Sequence, residues 1–231
     1  METGRAGVIA EAPFSAQLFR SLAHASRPLA VIGSQTLAAR EDTTSIAVAI
    51  SQLGIPVYLS GMARGLLGRD HPLQVRHRRR QALREADCVI LVGAPCDFRL
   101  EYGRHIRRSS TLIAANRSRR EARLNRRPDV AAIGDAGLFL EHLADQAGGA
   151  GTRWQDWLVE LRDRDARREA EIEQQAAAEG NFVNPIALLR AIDRIAGESA
   201  IFVADGGDFV STSADATAFG LSSGLRNGLT V

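Results

Sequence analysis

Short apolar runs recur along the chain at Leu29 to Ile32, Pro56 to Leu59, Cys88 to Val92, Thr111 to Ala115 and Val130 to Ile133. They lack the strict alternation of a half-exposed strand, which predicts strands covered on both faces of a parallel sheet. Between them apolar residues fall at helical spacing: Thr43 to Leu53, closed by Gly54 before Ile55-Pro56; Gln81 to Ala86; and Gly137 to Gln146. From Phe14 to Gln146 the pattern is therefore a repeated strand–helix unit, the signature of an open α/β sheet with helices on both faces.

The pattern changes after AGGAGT at 147 to 152, a linker by composition. Trp154 to about Ala178 predicts a long polar helix, docked through Trp154, Trp157, Leu158 and Leu161 and solvated beyond its first two turns. Asn184-Pro185 opens a further helix, Ile186 to Ile195, and Ala200 to Ala204 predicts a buried strand ending in Asp205-Gly206-Gly207-Asp208-Phe209. From Ser211 the chain is poor in periodic apolar residues and is not expected to complete a core. The expected organisation is a disordered start at 1–13, a Rossmann-like α/β domain at 14–150, a connector helix at 151–180, the beginning of a second α/β unit at 181–210, and a disordered tail at 211–231.

With 231 residues and 45% hydrophobic content the chain is long enough for one sizeable core. Nothing approaches the roughly 18 consecutive apolar residues of a membrane span, and METGRAGVIAEAPFS lacks the layout of a secretory signal. A soluble cytoplasmic protein with no membrane partner is expected. The chain contains no lysine, so Schiff-base chemistry and a lysine-bearing phosphate loop are excluded. Cys88 and Cys96 are too few for a disulfide framework or a four-thiolate zinc site; Cys88 is expected buried and Cys96, in a loop, more exposed.

Net charge is only +2, yet residues 76 to 127 hold fifteen arginines against five acidic residues. Solvated helix faces or attraction of a phosphorylated ligand both account for that field. Aromatics make up 5% of the chain and do not interleave with the arginines to stack bases, so no nucleic-acid partner is expected.

The predicted strands end in small or polar clusters, where open α/β sheets form their ligand crevice: Gly33-Ser34-Gln35, Ser60 to Gly65, Gly93 to Asp97, Asn116-Arg117 and Gly134-Asp135. Glycines there let backbone amides approach a phosphate, or simply make turns. No G-x-G-x-x-G fingerprint follows the first strand. His71 and His105 show no acid or nucleophile partner in the sequence, and no carboxylate pair stands out as an acid/base couple. No catalytic residue and no metal ligand is assigned.

RPLAVIGSQ, SGMARGLLGRDHPL, ADCVILVGAPCDFRLEYGR, the IGD turn, WQDWLVELR, and VNPIALLRAIDRI with IFVADGGDFV, in that order, resemble thiamine-diphosphate enzymes of the acetolactate synthase-like and 2-hydroxyacyl-CoA lyase-like group. The resemblance covers about residues 15 to 210. It implies the middle one of three α/β domains plus the first edge of the diphosphate-binding domain. The family's catalytic glutamate belongs to the domain before this region, and its magnesium-binding G-D-G motif falls where the sequence departs from the family. The expectation is a truncated carbon–carbon lyase or synthase, inactive alone, with a separate chain as the source of the missing domains. A stand-alone ADP- or CoA-type nucleotide-binding module or regulatory subunit is the alternative, and self-assembly into an oligomer stays open.

The resemblance also implies ligand positions. Thiamine diphosphate, with Mg2+ in the intact family, would lie beside Gly207, Asp208 and Phe209. An ADP or CoA moiety, or FAD, would lie along Gly33, Ser34, Gln35, Met62, Arg64, Gly93, Asp97, Arg99, Asn116, Arg117, Gly134 and Asp135. Asn116 stands where flavin-binding members carry an acid for the ribose, which argues against FAD. Arg64, Arg99 and Arg117 suit phosphates.

Overall fold

The computed structural model describes residues 12–38, 42–147 and 153–196. Five parallel strands, β1 (Pro28–Ile32), β2 (Val57–Leu59), β3 (Cys88–Val92), β4 (Thr111–Asn116) and β5 (Val130–Ile133), form one sheet in the order β2-β1-β3-β4-β5. Each lies within a residue of the run that predicts it, because a continuous apolar stretch of this length has only a doubly covered strand to occupy.

Successive residues of each strand serve opposite cores. Ala30, Ile32, Cys88, Ile90, Val92, Ile113 and Ala115 face a layer that includes Leu18 and Leu22 of α1 (Ala12–His24), Ile46 and Ile50 of α2 (Thr44–Leu53), and Phe139 and Leu140 of α5 (Ala136–Ala147). Leu29, Val31, Val89, Leu91, Leu112 and Ala114 face Ala82 and Leu83 of α3 (Arg79–Glu85) and Ala122 of α4 (Arg119–Ala122). Helix α2 stops at Gly54, whose φ of 65° is the left-handed turn that glycine adopts without a Cβ clash. Helix α1 is an element that the apolar runs do not reveal; among its described side chains Leu18 and Leu22 are buried and Phe19 packs against the same core.

The connector helix α6 (Gln155–Ala176) departs from the expected solvated rod. Its first turns do dock as expected. Trp154 and Leu158 enter one core while Trp157 and Leu161 enter the other. The indole N–H groups of Trp154 and Trp157 donate to the carbonyls of Ala25 (2.9 Å) and Pro28 (3.0 Å), and Arg27 and Arg164 lie over the Trp157 ring at 5.0 and 5.8 Å. Beyond these turns Ile172 is buried, and the carboxylates grip the segment before α3. Asp165 accepts from the backbone N–H groups of Arg76 and His77 at 3.0 and 2.6 Å. Glu169 meets Arg76 and His77 at 3.2 and 3.0 Å, and Glu171 pairs with Arg78 at 2.9 Å. Asp165 and Glu169, four apart, share one helix face, but their partners lie about ninety residues away and leave no local trace.

Helix α7 (Pro185–Ala196) follows, opened by Asn184, whose side-chain oxygen accepts from the N–H of Ile186 at 3.0 Å. The expected strand Ala200 to Ala204, the start before residue 12, and the tail from Ser211 lie outside the described residues. No helix among the described residues is long and apolar enough to cross a membrane.

Trp157 thus ties the connector to both the sheet and two guanidinium groups. Trp157→Phe is expected to cost about 1 kcal/mol through the lost hydrogen bond, and Trp157→Ala about 3–5 kcal/mol through the cavity as well. Guanidinium unfolding at constant slope measures both, and equal costs for the two variants would refute the division.

Candidate functional site

Sheet order reverses between β1 and β3: from β1 the chain moves outward to β2, then returns across to β3 and continues the other way. At such a switch point the loops leaving the two strands diverge and open a crevice. Here they first touch. A Cβ on Gly33 would lie 2.5 Å from the Gly93 carbonyl oxygen, and one on Gly93, whose φ is +64°, would lie 2.6 Å from the backbone nitrogen of Thr36. Glycine at both positions is thus required by the protein's own loop packing. Thr36, fully buried, adds a hydrogen bond from its hydroxyl to the Val92 carbonyl at 2.9 Å.

Outside this contact lies a crevice of about 230 Å³. Of the expected ligand positions, it brings together Gly33, Ser34, Gln35, Gly93, Asp97 and Arg99. Ser34 Oγ accepts from the Met62 N–H at 3.0 Å, and Gln35 Nε2 donates to Glu121 at 2.6 Å. Asp97 accepts from the Arg99 backbone N–H at 2.9 Å and pairs with its guanidinium, which holds the Arg99 proton more tightly than usual. Glu121, Leu124, Ser60 and Gly61 complete the wall. Glu121 was not an expected site residue; it comes from α4, which no apolar run marks.

The remaining expected positions among the described residues do not line this crevice. Asn116 is 1% exposed: its Oδ1 accepts from the Ser118 N–H at 2.8 Å, and its Nδ2 finds no partner. Arg117 donates to the Ala38 carbonyl at 2.7 Å and to Asp135 at 3.0 Å. Asp135 also accepts from the N–H groups of Gly137 and Leu138 at 2.9 and 3.0 Å, and so caps α5. Gly134 donates its N–H to the Asn116 carbonyl at 3.0 Å. Gly207, Asp208 and Phe209 lie outside the described residues.

Arg64 lies in a second, larger cleft of about 870 Å³ between the β2-to-α3 segment, α3 and the turn Phe98–Gly103, with Arg168 of α6 at its edge. The two cavities share Arg99 and Leu100. The turn between them is strained, since Glu101 and Tyr102 adopt φ of 49° and 58° in succession. Arg126 holds it, donating to the carbonyl of Gly103 at 2.9 Å and to that of Ile106.

Two histidines find partners that the sequence does not reveal. In the cleft, Arg84 Nε donates to His105 Nδ1 at 3.1 Å, so the ring proton resides on Nε2 and is given to Glu101 at 2.8 Å. That hydrogen bond holds the Glu101 carboxyl below its ordinary range. On the opposite flank His71 Nδ1 accepts from the Leu73 N–H at 3.3 Å, leaving Nε2–H for Ser51 Oγ at 2.9 Å. The Ser51 hydroxyl donates in turn to the Ala47 carbonyl at 2.9 Å, so this Ser–His pair is arranged as a structural relay.

Cys96 is buried, contrary to its expected exposure: Asn125 donates to its carbonyl at 2.8 Å, drawing the loop inward. Burial pushes its thiol up to about 11 and that of Cys88 up to about 12. Among the described residues no group of three or more His, Cys, Asp and Glu is arranged to hold a metal ion.

Residues 15–143 match the central domain of the thiamine pyrophosphate enzymes, more than half of the chain. The 2-hydroxyacyl-CoA lyase 2 of Bos taurus is 44% identical over 199 residues, covering 84% of this chain and 31% of the relative. That of Homo sapiens is 42% identical, with the same coverage. Acetolactate synthase large subunit IlvG of Mycobacterium tuberculosis is 31% identical over 192 residues, covering 82% of this chain and 34% of the relative. The chain spans about a third of the length of these curated relatives.

Burial holds the His71 ring below its ordinary value of 6.5. The unfolded chain therefore takes up that proton first, and the stability carried by neutral His71 is complete above about pH 6.5 and lost as pH falls below it. The melting temperature is expected to drop between about pH 7 and pH 5, with a smaller drop in His71→Gln; identical profiles for the two proteins would remove His71 as the cause. The raised thiols give a separate expectation. A thiol-reactive disulfide reagent at about pH 8 should label neither cysteine in the native chain and both after unfolding, because the thiolate is the reacting form.

Proposed function

The chain belongs to the thiamine pyrophosphate enzyme family, and from that premise we propose that it is the nucleotide-holding central portion of a thiamine-diphosphate-dependent carbon–carbon lyase acting on 2-hydroxyacyl-CoA. The observation that carries this reading is the identity of 44% with 2-hydroxyacyl-CoA lyase 2 across 84% of the chain, against 31% with an acetolactate synthase over a similar span. The residues matched by the family's central domain, 15–143, include the crevice loops.

Thiamine diphosphate supplies the electron sink that stabilises a carbanion in such a reaction. The positions that the resemblance assigns to its diphosphate–magnesium end, Gly207, Asp208 and Phe209, lie beyond the described residues. The part assigned to this chain is binding and orientation. The Gly33–Gln35 and Gly93–Asp97 loops present backbone to the crevice, where a phosphate can approach closely. Arg99, at the junction of crevice and cleft, offers a planar fork to a phosphate if it turns from Asp97. The Asn116 amide is buried and offers the crevice no ribose-binding group of the kind that flavin-binding members carry, so the assignment of an ADP or CoA moiety rests on the loop backbones and Arg99.

Thermal melts of the 231-residue chain with CoA, ADP and FAD test this assignment. CoA or ADP at about ten times its Kd should add about 1.4 kcal/mol, a rise of about 3–6 °C, and FAD at equal concentration, which carries the same ADP group, should add no more than ADP. A larger shift with FAD, or none with any of the three, would overturn it.

A further inference from the structure

The cleft beside the crevice is lined by eight arginines and, among its lining residues, a single carboxylate, Glu101. Much of that charge is answered. Glu101 pairs with Arg80, Glu169 with Arg76, Glu171 with Arg78 and Arg168, and Asp97 with Arg99. Arg79 and Arg84 are different. Arg79 donates to the Arg99 carbonyl at 2.6 Å and Arg84 to the unprotonated Nδ1 of His105 at 3.1 Å, so both cations rest on uncharged acceptors. Arg84 is exposed; Arg79 is half-buried, and its burial, with Arg64 close by, loosens its hold on the proton although Glu101 acts the other way. Concentrating like charges in a partly desolvated concavity is unfavourable unless an anion joins them.

The walls give that anion a shape. At the mouth stands Phe98, 68% exposed with Arg99 stacked 5.5 Å from its ring centroid, an open aromatic face beside a cationic floor. The left-handed backbone at Glu101 and Tyr102 is strain of the kind that collects at ligand-binding turns. The volume of about 870 Å³ is large enough for a nucleotide-sized molecule. Connector-helix carboxylates hold Arg76 and Arg78 back, so the side chains best placed to meet a ligand are those from α3 and the turn.

We propose that this cleft is a second phosphate-binding site, distinct from the strand-end crevice, in which Arg79 and Arg84 grip a diphosphate or a terminal phosphate while Phe98 flanks the remainder of the ligand. The ligand class is a small phosphorylated molecule. Because Arg99 borders both cavities, a ligand with two separated phosphate groups can reach from one to the other. The assignment stands on the cleft itself and does not require the crevice to bind a nucleotide.

Calorimetric titration of the 231-residue chain with inorganic pyrophosphate separates the two sites, since pyrophosphate carries no adenine or ribose for the crevice to select. Pyrophosphate should bind, and the double variant Arg79→Gln/Arg84→Gln should weaken it by about tenfold or more, the loss of charge-assisted hydrogen bonds. Arg79→Lys/Arg84→Lys keeps the charge and should retain most of the affinity; it also serves as the comparison if the glutamine variant fails to fold. In a parallel arm CoA should lose more affinity than ADP in the glutamine variant if the two phosphate groups of CoA span both cavities; equal losses assign the cleft to the diphosphate. Pyrophosphate affinity unchanged by the glutamine variant, or absent while ADP binds, would overturn the second site and leave the crevice reading intact. Binding of pyrophosphate without any shift by ADP or CoA would do the reverse.

Discussion

At the carboxyl ends of β1 and β3 two loops pack so closely that neither Gly33 nor Gly93 has room for a side chain. The contact follows from strand order, because β1 and β3 are hydrogen-bonded neighbours whose outgoing connections run to opposite sides of the sheet. With the two backbones in van der Waals contact, the loops can diverge only above that point. The crevice begins there, between Ser34 and Asp97, and the turn Phe98–Gly103 is thrown outward to divide it from the arginine-lined cleft. The sites thus inherit their position from one backbone approach, and that approach from the parallel register of two buried strands.

At the opposite end of the sheet the connector helix performs a different kind of fixation. Its two tryptophans hydrogen-bond carbonyls at and just before the start of β1, and its later carboxylates hold the backbone and side chains of Arg76, His77 and Arg78. Tyr58 adds a bond from its hydroxyl to the His77 carbonyl at 2.8 Å, and burial pushes its phenol well above the ordinary range. A segment carrying three charged or titratable residues in a row is thereby ordered against the sheet. Charge here serves geometry. Pairs this exposed contribute little stability one by one, so the backbone hydrogen bonds to Asp165 and the buried indoles matter more than the count of ion pairs.

The distribution of arginine follows the same division. Arg126 fastens the strained turn through carbonyl oxygens, Arg117 ties two strand-end loops through Asp135 and Ala38, and Arg27 and Arg164 lie over the Trp157 ring. A guanidinium can do this because its planar fork reaches several acceptors at once, which a lysine ammonium does less well. In a chain without lysine, several of the positive groups clustered at 76 to 127 thus have structural partners.

The sequence by itself determined the five strands, the alternation with helices, the connector and the ends at which the crevice opens. All of these depend on local apolar spacing and on turn residues, and such signals survive in any one stretch of chain. Family membership was legible for the same reason, carried by strand-end motifs such as GSQ and GAPCDFR. Tertiary structure alone decided which strand-end residues share a cavity. Gly33, Ser34, Gln35, Gly93, Asp97 and Arg99 converge, whereas Asn116 turns inward and Arg117 with Asp135 closes on itself. It also decided that Cys96 is buried and that the far half of α6 is not free. Each of these outcomes is set by groups distant in sequence or by the angle at which a loop leaves its strand, and neither is encoded in the periodicity of the residues that it places.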